Sequence, residues 1–315
     1  MNTASRVTYK EWAGIIIKGT LPVSPPTSDL HVDRAAYVAT TMESPKAGTV
    51  QSYDRCAMSG GPFHFTAIQP STMTQGSLFQ LLRHLELSSP CPELTALWNK
   101  LKGKNWFVAR DGTLRNITTG ALVPGTDIRN EFTPDNGVVP TEGPKRVQAE
   151  AWAMAFHLLL AAPATARGQQ EFAIEYLLKG QQDTERNYYA PLELLTVKTA
   201  QISLAADLAL CTYHAHSVNA PGPAVTCLKQ VHAAFPNGSD RLGSKAAAYL
   251  IWLLGRNTYG AWQDDKDGGN RYDNTRINAM RSGLWPQALF VTAAPNNQCI
   301  MPVDLPITRP ANTLP

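Results

Sequence analysis

The sequence predicts an α+β protein that is mainly helical and carries a small β-hairpin directly after its first long helix. Helices are predicted because apolar residues recur at three- and four-residue steps through much of the chain. The composition agrees with a globular core, since 43% of the residues are hydrophobic and 17% are charged. The hairpin is predicted because apolar and polar residues alternate on both sides of the Ser-Gly-Gly-Pro sequence at 59–62.

The first third of the chain contains this helix and this hairpin. Residues 1–30 hold a short apolar stretch and a Pro-rich turn, which predict an arm or an edge element. A helix is predicted over about 32–42, where the apolar residues share one face. The two strands of the hairpin are predicted at 50–54 and 63–67, and a second helix begins near Thr74.

In the rest of the chain the sequence pattern predicts helices joined by irregular connections. The segment at about 102–143 is rich in Gly, Thr, Pro and Asn, and predicts irregular structure with at most short strands. The segment after Pro286 is rich in Pro and Asn and predicts an extended tail. Helical patterns occur at about 144–162, 169–179, 192–215, 222–235, 243–256 and 273–282.

The charge and hydropathy of the chain limit its partners. The net charge is +3 and the pI is about 8.5, which favours an anionic partner. No cluster of Lys and Arg is dense enough to predict binding of nucleic acid. No stretch reaches the roughly 18 apolar residues that a membrane span requires, and the first residues lack the pattern of a secretory signal. We therefore expect synthesis in the cytoplasm and no membrane span.

The cysteines and histidines predict neither a metal site nor a cofactor. The 5 cysteines are widely spaced and form no Cys-x-x-Cys pair, so we expect buried or free thiols. A single disulfide such as Cys211–Cys227 is an alternative. His214 and His216 lie two positions apart on a predicted helix and therefore on different faces, which argues against a shared metal ion.

Two acidic residues flank the junction between the first helix and the hairpin. Glu43 lies at the C-terminal end of the helix, where the helix dipole disfavours negative charge. Asp54 follows on the first strand of the hairpin. A carboxylic acid that stays protonated, opposed by an ionised carboxylate, is the pair that hydrolysis of a glycosidic bond requires. The polar side chains near this pair that could hold a water molecule or a sugar are Tyr53, Ser59, His64 and Thr66.

These features occur together in one segment, AAYVATTMESPKAGTVQSYDRCAMSGGPFHFTAIQPSTMTQGSLFQLLRHLE. In chain order the segment shows a helix, Glu, a strand, Asp, a Gly-rich turn, an aromatic strand and a second helix. This segment resembles the N-terminal lobe of the lysozyme superfamily, and it is most similar to the chitosanase branch and to phage-type peptidoglycan hydrolases. Looser similarity continues to the central helix of that branch at 200–218 and to its closing helices at 249–285. The resemblance implies a two-lobed lysozyme-like fold with Glu43 as general acid, Asp54 as second carboxylate and Thr66 as a residue that holds water.

The resemblance also implies a domain organisation. Residues 1–30 are expected to form an N-terminal arm, and residues 31–285 a lysozyme-like catalytic domain. Its two lobes are expected at about 31–143 and 144–285. Residues 286–315 form an extended C-terminal tail.

The activity implied by the resemblance is muramidase-like cleavage of the glycan backbone of bacterial peptidoglycan. The basic pI favours anionic peptidoglycan over chitosan, which is a polycation. We expect action at the cell wall or periplasm after delivery by a phage or a secretion apparatus, with that apparatus or an immunity protein as a further partner. A chitosanase, a lytic transglycosylase and a glycan-binding or structural module without turnover are the alternatives.

Overall fold

The computed structural model of the chain is mainly helical and contains several small sheets, which confirms the predicted α+β class. Across the residues that the structure describes, every helix is too short or too polar to cross a membrane. The described residues are 15–19, 21–23, 25–26, 28–43, 46–52, 56–69, 71–133, 139–182, 198, 201–217, 221–241, 243–257, 291–293 and 298–300.

The chain divides into two compact units and passes between them three times. The first unit takes Met1–Ser24 and Ser44–Phe172, and the second takes Pro25–Glu43 and Ala173–Pro315. Each unit is therefore assembled from two separate pieces of sequence. The lobe boundary predicted at 143/144 falls inside the first unit, because helices on both sides of that position share one core.

The first unit contains a four-stranded antiparallel sheet. In spatial order its strands are β1 (Ile16–Ile17), β4 (Val50–Gln51), β5 (Ser59–Gly60) and β6 (Phe65–Thr66). Two further ladders pair β2 (Leu21–Pro22) with β3 (Lys46–Ala47), and β7 (Ile68–Gln69) with β8 (Thr74–Gln75). The apolar stretch near the N terminus supplies the edge strand β1, which confirms the predicted edge element.

The sheet differs from the predicted hairpin because Ser59 and Gly60 form a strand rather than a turn. Val50 pairs with Gly60, and Gly60 pairs with Phe65 on its other side. A glycine suits this middle strand because a Cβ at position 60 would come within 2.8 Å of Leu160 Cδ1. The turn lies instead at 61–64, so the Gly-rich pattern placed it two residues too early.

Most of the first unit is helical. Its helices are α2 (Leu78–Ser88), α3 (Pro92–Lys102), α4 (Gly125–Phe132), α5 (Pro144–Leu160) and the first part of α6 (Ala166–Gln182). The strands β9 (Trp106–Val108) and β10 (Leu114–Asn116) form a hairpin between α3 and α4. Neither α3 nor α4 was predicted, and α4 lies in the segment 102–143 that predicted irregular structure.

An aromatic core joins α2, α4 and α5. The ring of Phe132 lies 4.9 Å from Trp152, 5.5 Å from Phe156 and 6.4 Å from Phe79. Trp152 Nε1 donates to Glu131 Oε1 at 2.8 Å, so the one polar atom of the indole is satisfied. Phe132 precedes the predicted lobe boundary and Trp152 follows it, and this shared core places both residues in one unit.

Gln75 ties the β7–β8 ladder to the β9–β10 hairpin. Its Nε2 donates to Leu114 O at 2.7 Å and to Val123 O at 2.9 Å, and its Oε1 accepts from Leu114 N at 2.6 Å. The amide side chain thus pairs with the backbone as a neighbouring strand would. Because Thr74 and Gln75 are in a strand, the second helix begins at Leu78 rather than near Thr74.

The second unit is built from packed helices. They are α1 (His31–Glu43), α7 (Leu204–Ser217), α8 (Pro221–Ala234), α9 (Gly238–Arg241) and α10 (Ser244–Asn257). α1 packs on α7, and α10 packs on both α7 and α8. Three fully buried alanines of α1, Ala35, Ala36 and Ala39, let its backbone approach α7 closely.

These bounds test the predicted helices of the second unit. The helices predicted at 32–42, 222–235 and 243–256 are confirmed within two residues. The helix predicted at 192–215 begins only at Leu204 among the described residues. The helix predicted at 273–282 lies outside them, and the predicted tail contains a ladder of β11 (Val291–Ala293) with β12 (Gln298–Ile300).

Candidate functional site

The six residues proposed from the sequence differ in how far the structure describes them. Glu43 is the last residue of α1, as predicted, but its side chain lies outside the described part of the chain. Tyr53 and Asp54 also lie outside it. The structure therefore describes the environments of three candidates, Ser59, His64 and Thr66, all in the first unit.

Ser59 and Thr66 are brought together by the β5–β6 hairpin. They are cross-strand partners, so their Cβ atoms lie on the same face of the sheet. Ser59 is buried, with 2% of its surface exposed to solvent, whereas Thr66 is half-buried. Thr66 is therefore better placed than Ser59 to contact a solvated ligand, whereas the Nε2 atom of the half-buried His64 is itself buried.

The turn between these strands has an unusual backbone. His64 N donates to Gly61 O at 3.1 Å and closes the turn. Gly61 has φ of 76° and His64 has φ of 48°. Residues other than glycine rarely adopt such a positive φ. Ala57, just before β5, has φ of 66°. Such residues typically cost about 1–2 kcal/mol each and are concentrated at functional sites, which favours a role for this hairpin.

Gly76 fixes the position of Thr66. Gly76 N donates to Ala67 O at 2.9 Å, and a Cβ at position 76 would lie 2.5 Å from Thr66 Oγ1. Only a residue without a Cβ leaves room for the Thr66 hydroxyl at this point. Gly76 belongs to the Thr-Gln-Gly-Ser segment that precedes α2, and its contact with Thr66 could not be derived from the sequence.

An aromatic cluster lies beside the hairpin. The ring of Phe65 lies 5.7 Å from Phe63 and 4.9 Å from Phe172, and Phe172 lies 5.5 Å from His84. His84 lies near the end of α2, within the segment on which the resemblance was based. Phe172 comes from α6, far along the chain, so no local pattern could have placed it in this cluster.

Gln169 is a second residue of α6 that sequence reasoning missed. Its Nε2 donates to Leu160 O at 2.8 Å and to Thr165 Oγ1 at 2.9 Å, while its Oε1 lies 3.9 Å from the position that a Gly61 Cβ would take. No hydrogen bond from the described residues reaches this buried Oε1. It therefore keeps the capacity to accept one from a hydroxyl, an amide or a water molecule beside the turn.

A separate polar cluster lies in the second unit, between α1 and α7. The carboxylate of Asp207 accepts from His31 Nδ1 at 2.7 Å through Oδ1 and from Arg34 Nη1 at 2.9 Å through Oδ2. The Nε2 atoms of His31 and His214 lie 3.1 Å apart, so one ring donates to the other. His31, Asp207 and His214 are at most 1% exposed, and Cys211 is buried beside them.

The electrostatics of this cluster follow from its burial. Burial, and then the carboxylate of Asp207, raise the pKa of the Cys211 thiol well above its usual value, so the thiol alone is a poor nucleophile. Burial, and then the neighbouring His31, lower the pKa of His214 well below its usual value. Cys211 has a free thiol, so the alternative of a disulfide between Cys211 and Cys227 is wrong.

The two regions differ in what they can do chemically. In the hairpin region Thr66 is half-buried and lies on the sheet face opposite to the buried ring of Phe65, which leaves Thr66 as the described candidate for contact to a sugar. The cluster of the second unit is closed to solvent except at Arg34, whose side chain is 21% exposed, which suits a structural role. Comparisons of the chain with protein-family models, with curated proteins and with solved structures found no match.

Proposed function

We propose that this protein is a lysozyme-like glycoside hydrolase that cleaves the glycan backbone of peptidoglycan, with Glu43 as general acid. The proposal depends chiefly on one observation. α1 ends at Glu43, and the chain then enters an antiparallel sheet whose last strand, β6, carries Thr66. The helix α2 follows with His84 near its end. The resemblance to the lysozyme superfamily was based on this order, except that β5 lies where the Gly-rich turn was predicted and the β7–β8 ladder comes before α2.

The described part of the hairpin supports a sugar-contacting role. Thr66 is half-buried, and Gly76 lies against its backbone and its hydroxyl, so this hydroxyl has a defined position. The strained turn ending at His64 lies on the same hairpin. Preorganised polar groups of this kind are what hydrolysis needs to hold a water molecule against the sugar.

The charge of the chain supports peptidoglycan as the substrate. A net charge of +3 favours an anionic polymer by long-range attraction. Peptidoglycan and the polymers attached to it are anionic, whereas chitosan is cationic. Among the glycans considered, peptidoglycan is therefore favoured.

In the proposed mechanism the carboxyl group of Glu43 donates its proton to the glycosidic oxygen as the C–O bond breaks. A second carboxylate, for which we propose Asp54, either takes a proton from the attacking water or stabilises the positive charge on the sugar. Thr66 Oγ1 accepts a hydrogen bond from that water and holds it in place. In a lytic transglycosylase the sugar's own hydroxyl replaces the water, and one Glu is sufficient.

Mass spectrometry of soluble products tests the proposal. Purified peptidoglycan and chitosan are incubated separately with wild type, with Glu43→Gln and with Glu150→Gln. Glu150 is the matched control, because it forms an ion pair with Arg146 on the surface of α5 and has no proposed role. We expect muropeptides with reducing ends from wild type and Glu150→Gln, and none from Glu43→Gln.

Each other outcome changes the assignment. Anhydro ends would identify a lytic transglycosylase, and glucosamine oligomers from chitosan alone would identify a chitosanase. No product from either polymer would leave a glycan-binding or structural module. Equal activity of wild type and Glu43→Gln would show that Glu43 is not the catalytic acid.

A further inference from the structure

The cluster between α1 and α7 contains three types of side chain that bind transition metals. His31 comes from the first turn of α1, and Asp207 and Cys211 come from successive turns of α7. Positions 207 and 211 are four residues apart, so both side chains lie on the face of α7 that meets α1. All three side chains are fully buried in the second unit.

We propose that His31, Asp207 and Cys211 bind one transition-metal ion of the zinc class. A ring nitrogen of His31, a carboxylate oxygen of Asp207 and the Sγ of Cys211 all lie within 4.8 Å of one another. Ligand atoms that share an ion at about 2.0–2.3 Å are themselves no more than about 4.5 Å apart. Small changes of side-chain torsion are therefore sufficient to bring the three atoms to one ion, with a water molecule as fourth ligand.

The neighbouring residues are arranged to hold these ligands. Arg34 donates to Oδ2 of Asp207 and leaves Oδ1 directed toward His31. With Nδ1 on the ion, Nε2 of His31 carries a hydrogen and donates it to His214 Nε2, 3.1 Å away. Metal-binding histidines usually donate their second ring N–H to such a partner, which fixes the ring orientation and the tautomer.

The charges of the cluster are compatible with a divalent ion. Binding displaces the thiol proton of Cys211 to solvent, and the resulting thiolate and the carboxylate of Asp207 together balance a charge of about +2. The guanidinium of Arg34 is not forced against the ion, because it binds the other carboxylate oxygen and its side chain is 21% exposed. Thiolate, imidazole and carboxylate together favour Zn²⁺ or Co²⁺ over Mg²⁺ or Ca²⁺, which prefer oxygen ligands.

One distance must change when the ion binds. His31 Nδ1 and Asp207 Oδ1 are 2.7 Å apart, which is a hydrogen-bond distance. Two atoms on one tetrahedral ion are about 3.3 Å apart. The inference therefore requires the Asp–His hydrogen bond to open by several tenths of an ångström, and this change makes the site distinguishable from a metal-free Asp–His pair.

The test measures metal binding by the full chain and needs no enzyme assay. Zinc content is measured by mass spectrometry after purification without chelator, and metal-free protein is then titrated with Co²⁺. We expect one equivalent of metal per chain and a near-ultraviolet sulfur-to-cobalt charge-transfer band. X-ray absorption at the zinc edge should show one sulfur at about 2.3 Å and lighter ligands at about 2.0–2.2 Å.

Variants identify the ligands. Cys211→Ser should abolish the charge-transfer band, and Cys227→Ser, which removes another buried cysteine of the second unit, should keep it. His31→Gln should weaken Co²⁺ binding at least about tenfold. Circular dichroism shows whether each variant is folded. If Cys211→Ser is not, the X-ray absorption spectrum of the wild type shows whether the ion has a sulfur ligand, and Cys227→Ser shows whether that sulfur belongs to Cys227.

Two results would overturn the inference. One is wild-type protein that contains no stoichiometric zinc and gives no charge-transfer band with saturating Co²⁺. The other is a band that persists in folded Cys211→Ser, because the sulfur ligand would then be a different cysteine.

Discussion

The backbone of Gly76 lies directly against Thr66, and a Cβ at position 76 would come within 2.2 Å of the Thr66 carbonyl oxygen. The obstacle is backbone, which cannot rotate away as a flexible side chain can. The contact joins the strand β6 to the segment that leads into α2. Any side chain at position 76 must therefore displace Thr66 or the start of that segment.

We expect Gly76→Ala to lower the stability of the first unit by about 1–3 kcal/mol, because the added methyl group has no free space beside Thr66. The measurement is the urea midpoint of unfolding. Gly103→Ala is the control, since Gly103 has φ of −61° and its nearest atom would be 3.3 Å from the new Cβ. Equal midpoints for the two variants would contradict the assigned contact.

If the proposed hydrolase function is correct, Thr66→Val should lower kcat by on the order of 100-fold, because the isosteric side chain cannot hold the water. Thr66→Ser keeps the hydroxyl and should retain most of the activity. Rates of product release from peptidoglycan compare the three proteins. An unchanged rate for Thr66→Val would remove Thr66 from the mechanism.

The connection between α5 and α6 depends on one buried hydroxyl. Thr165, in the 3-10 turn Pro163–Thr165, is fully buried, and its Oγ1 lies 3.0 Å from Leu159 O and 2.9 Å from Ala162 O. It also accepts from Gln169 Nε2 at 2.9 Å. Thr165→Val keeps the shape and removes these three buried hydrogen bonds.

We therefore expect Thr165→Val to lower the free energy of unfolding by about 1–3 kcal/mol. The matched control is Thr95→Val, which removes an exposed hydroxyl that donates to Cys91 O at 3.4 Å. That change should stay within about 0.5 kcal/mol. Both are measured by urea unfolding, and a Thr165→Val midpoint equal to that of Thr95→Val would show that water replaces the lost bonds.

Asp111 should titrate at unusually low pH. Hydrogen bonds from Thr113, through Oγ1 at 2.6 Å and N at 3.0 Å, lower the pKa of Asp111 to about 2, and Arg115 adds to the shift. Because the folded pKa is below the unfolded one, the stabilisation is present above about pH 4 and is lost as pH falls toward 2. NMR titration of the Asp111 side chain measures this value.

Thr113→Val is the variant for this titration. It removes the side-chain donor and should raise the pKa of Asp111 toward its ordinary value. Thr118→Val, two residues after β10 and hydrogen-bonded to Asn105, should leave the titration unchanged. A pKa near 4 in wild type would contradict the hydrogen bonds assigned to Asp111.

Among the cysteines whose burial the structure describes, Cys91 should react first with a thiol reagent. It is partly exposed at the start of α3, whereas Cys56, Cys211 and Cys227 are buried and should react at least about 100-fold more slowly. The pKa of Cys91 is raised, chiefly by burial, so its rate should increase as pH rises above neutrality. Peptide mapping after brief labelling identifies the sites, and equally fast labelling of Cys227 would contradict the packing of α8.

The sequence predicted those elements whose signal is local. α1 was predicted almost to its ends, because the apolar face over 32–42 repeats with helical period and Pro45 follows. The strand β5 was missed because glycines usually mark turns, whereas here Gly60 is needed where the sheet meets Leu160. The short helix α4 was missed because its eight residues, GTDIRNEF, include too few apolar residues to show a period.

The polar cluster could not be predicted for a different reason. His31 and Asp207 are 176 residues apart in sequence, and nothing near either residue indicates its partner. The same holds for Gln169 and Phe172, which reach the β5–β6 hairpin from α6. The order of Glu43, Ser59, His64 and Thr66 is contained in the sequence, but the residues that surround the hairpin come from distant segments.

The interleaving of the two units has a consequence for synthesis on the ribosome. α1 is made early, but its partner α7 emerges only after about 170 further residues. At about 5–20 residues per second this delay is on the order of 10–35 seconds. During that time the first unit, whose pieces precede and follow α1 in the sequence, can assemble while α1 has no partner yet. The first unit should therefore become protected from proteases on stalled ribosomes before α1 does.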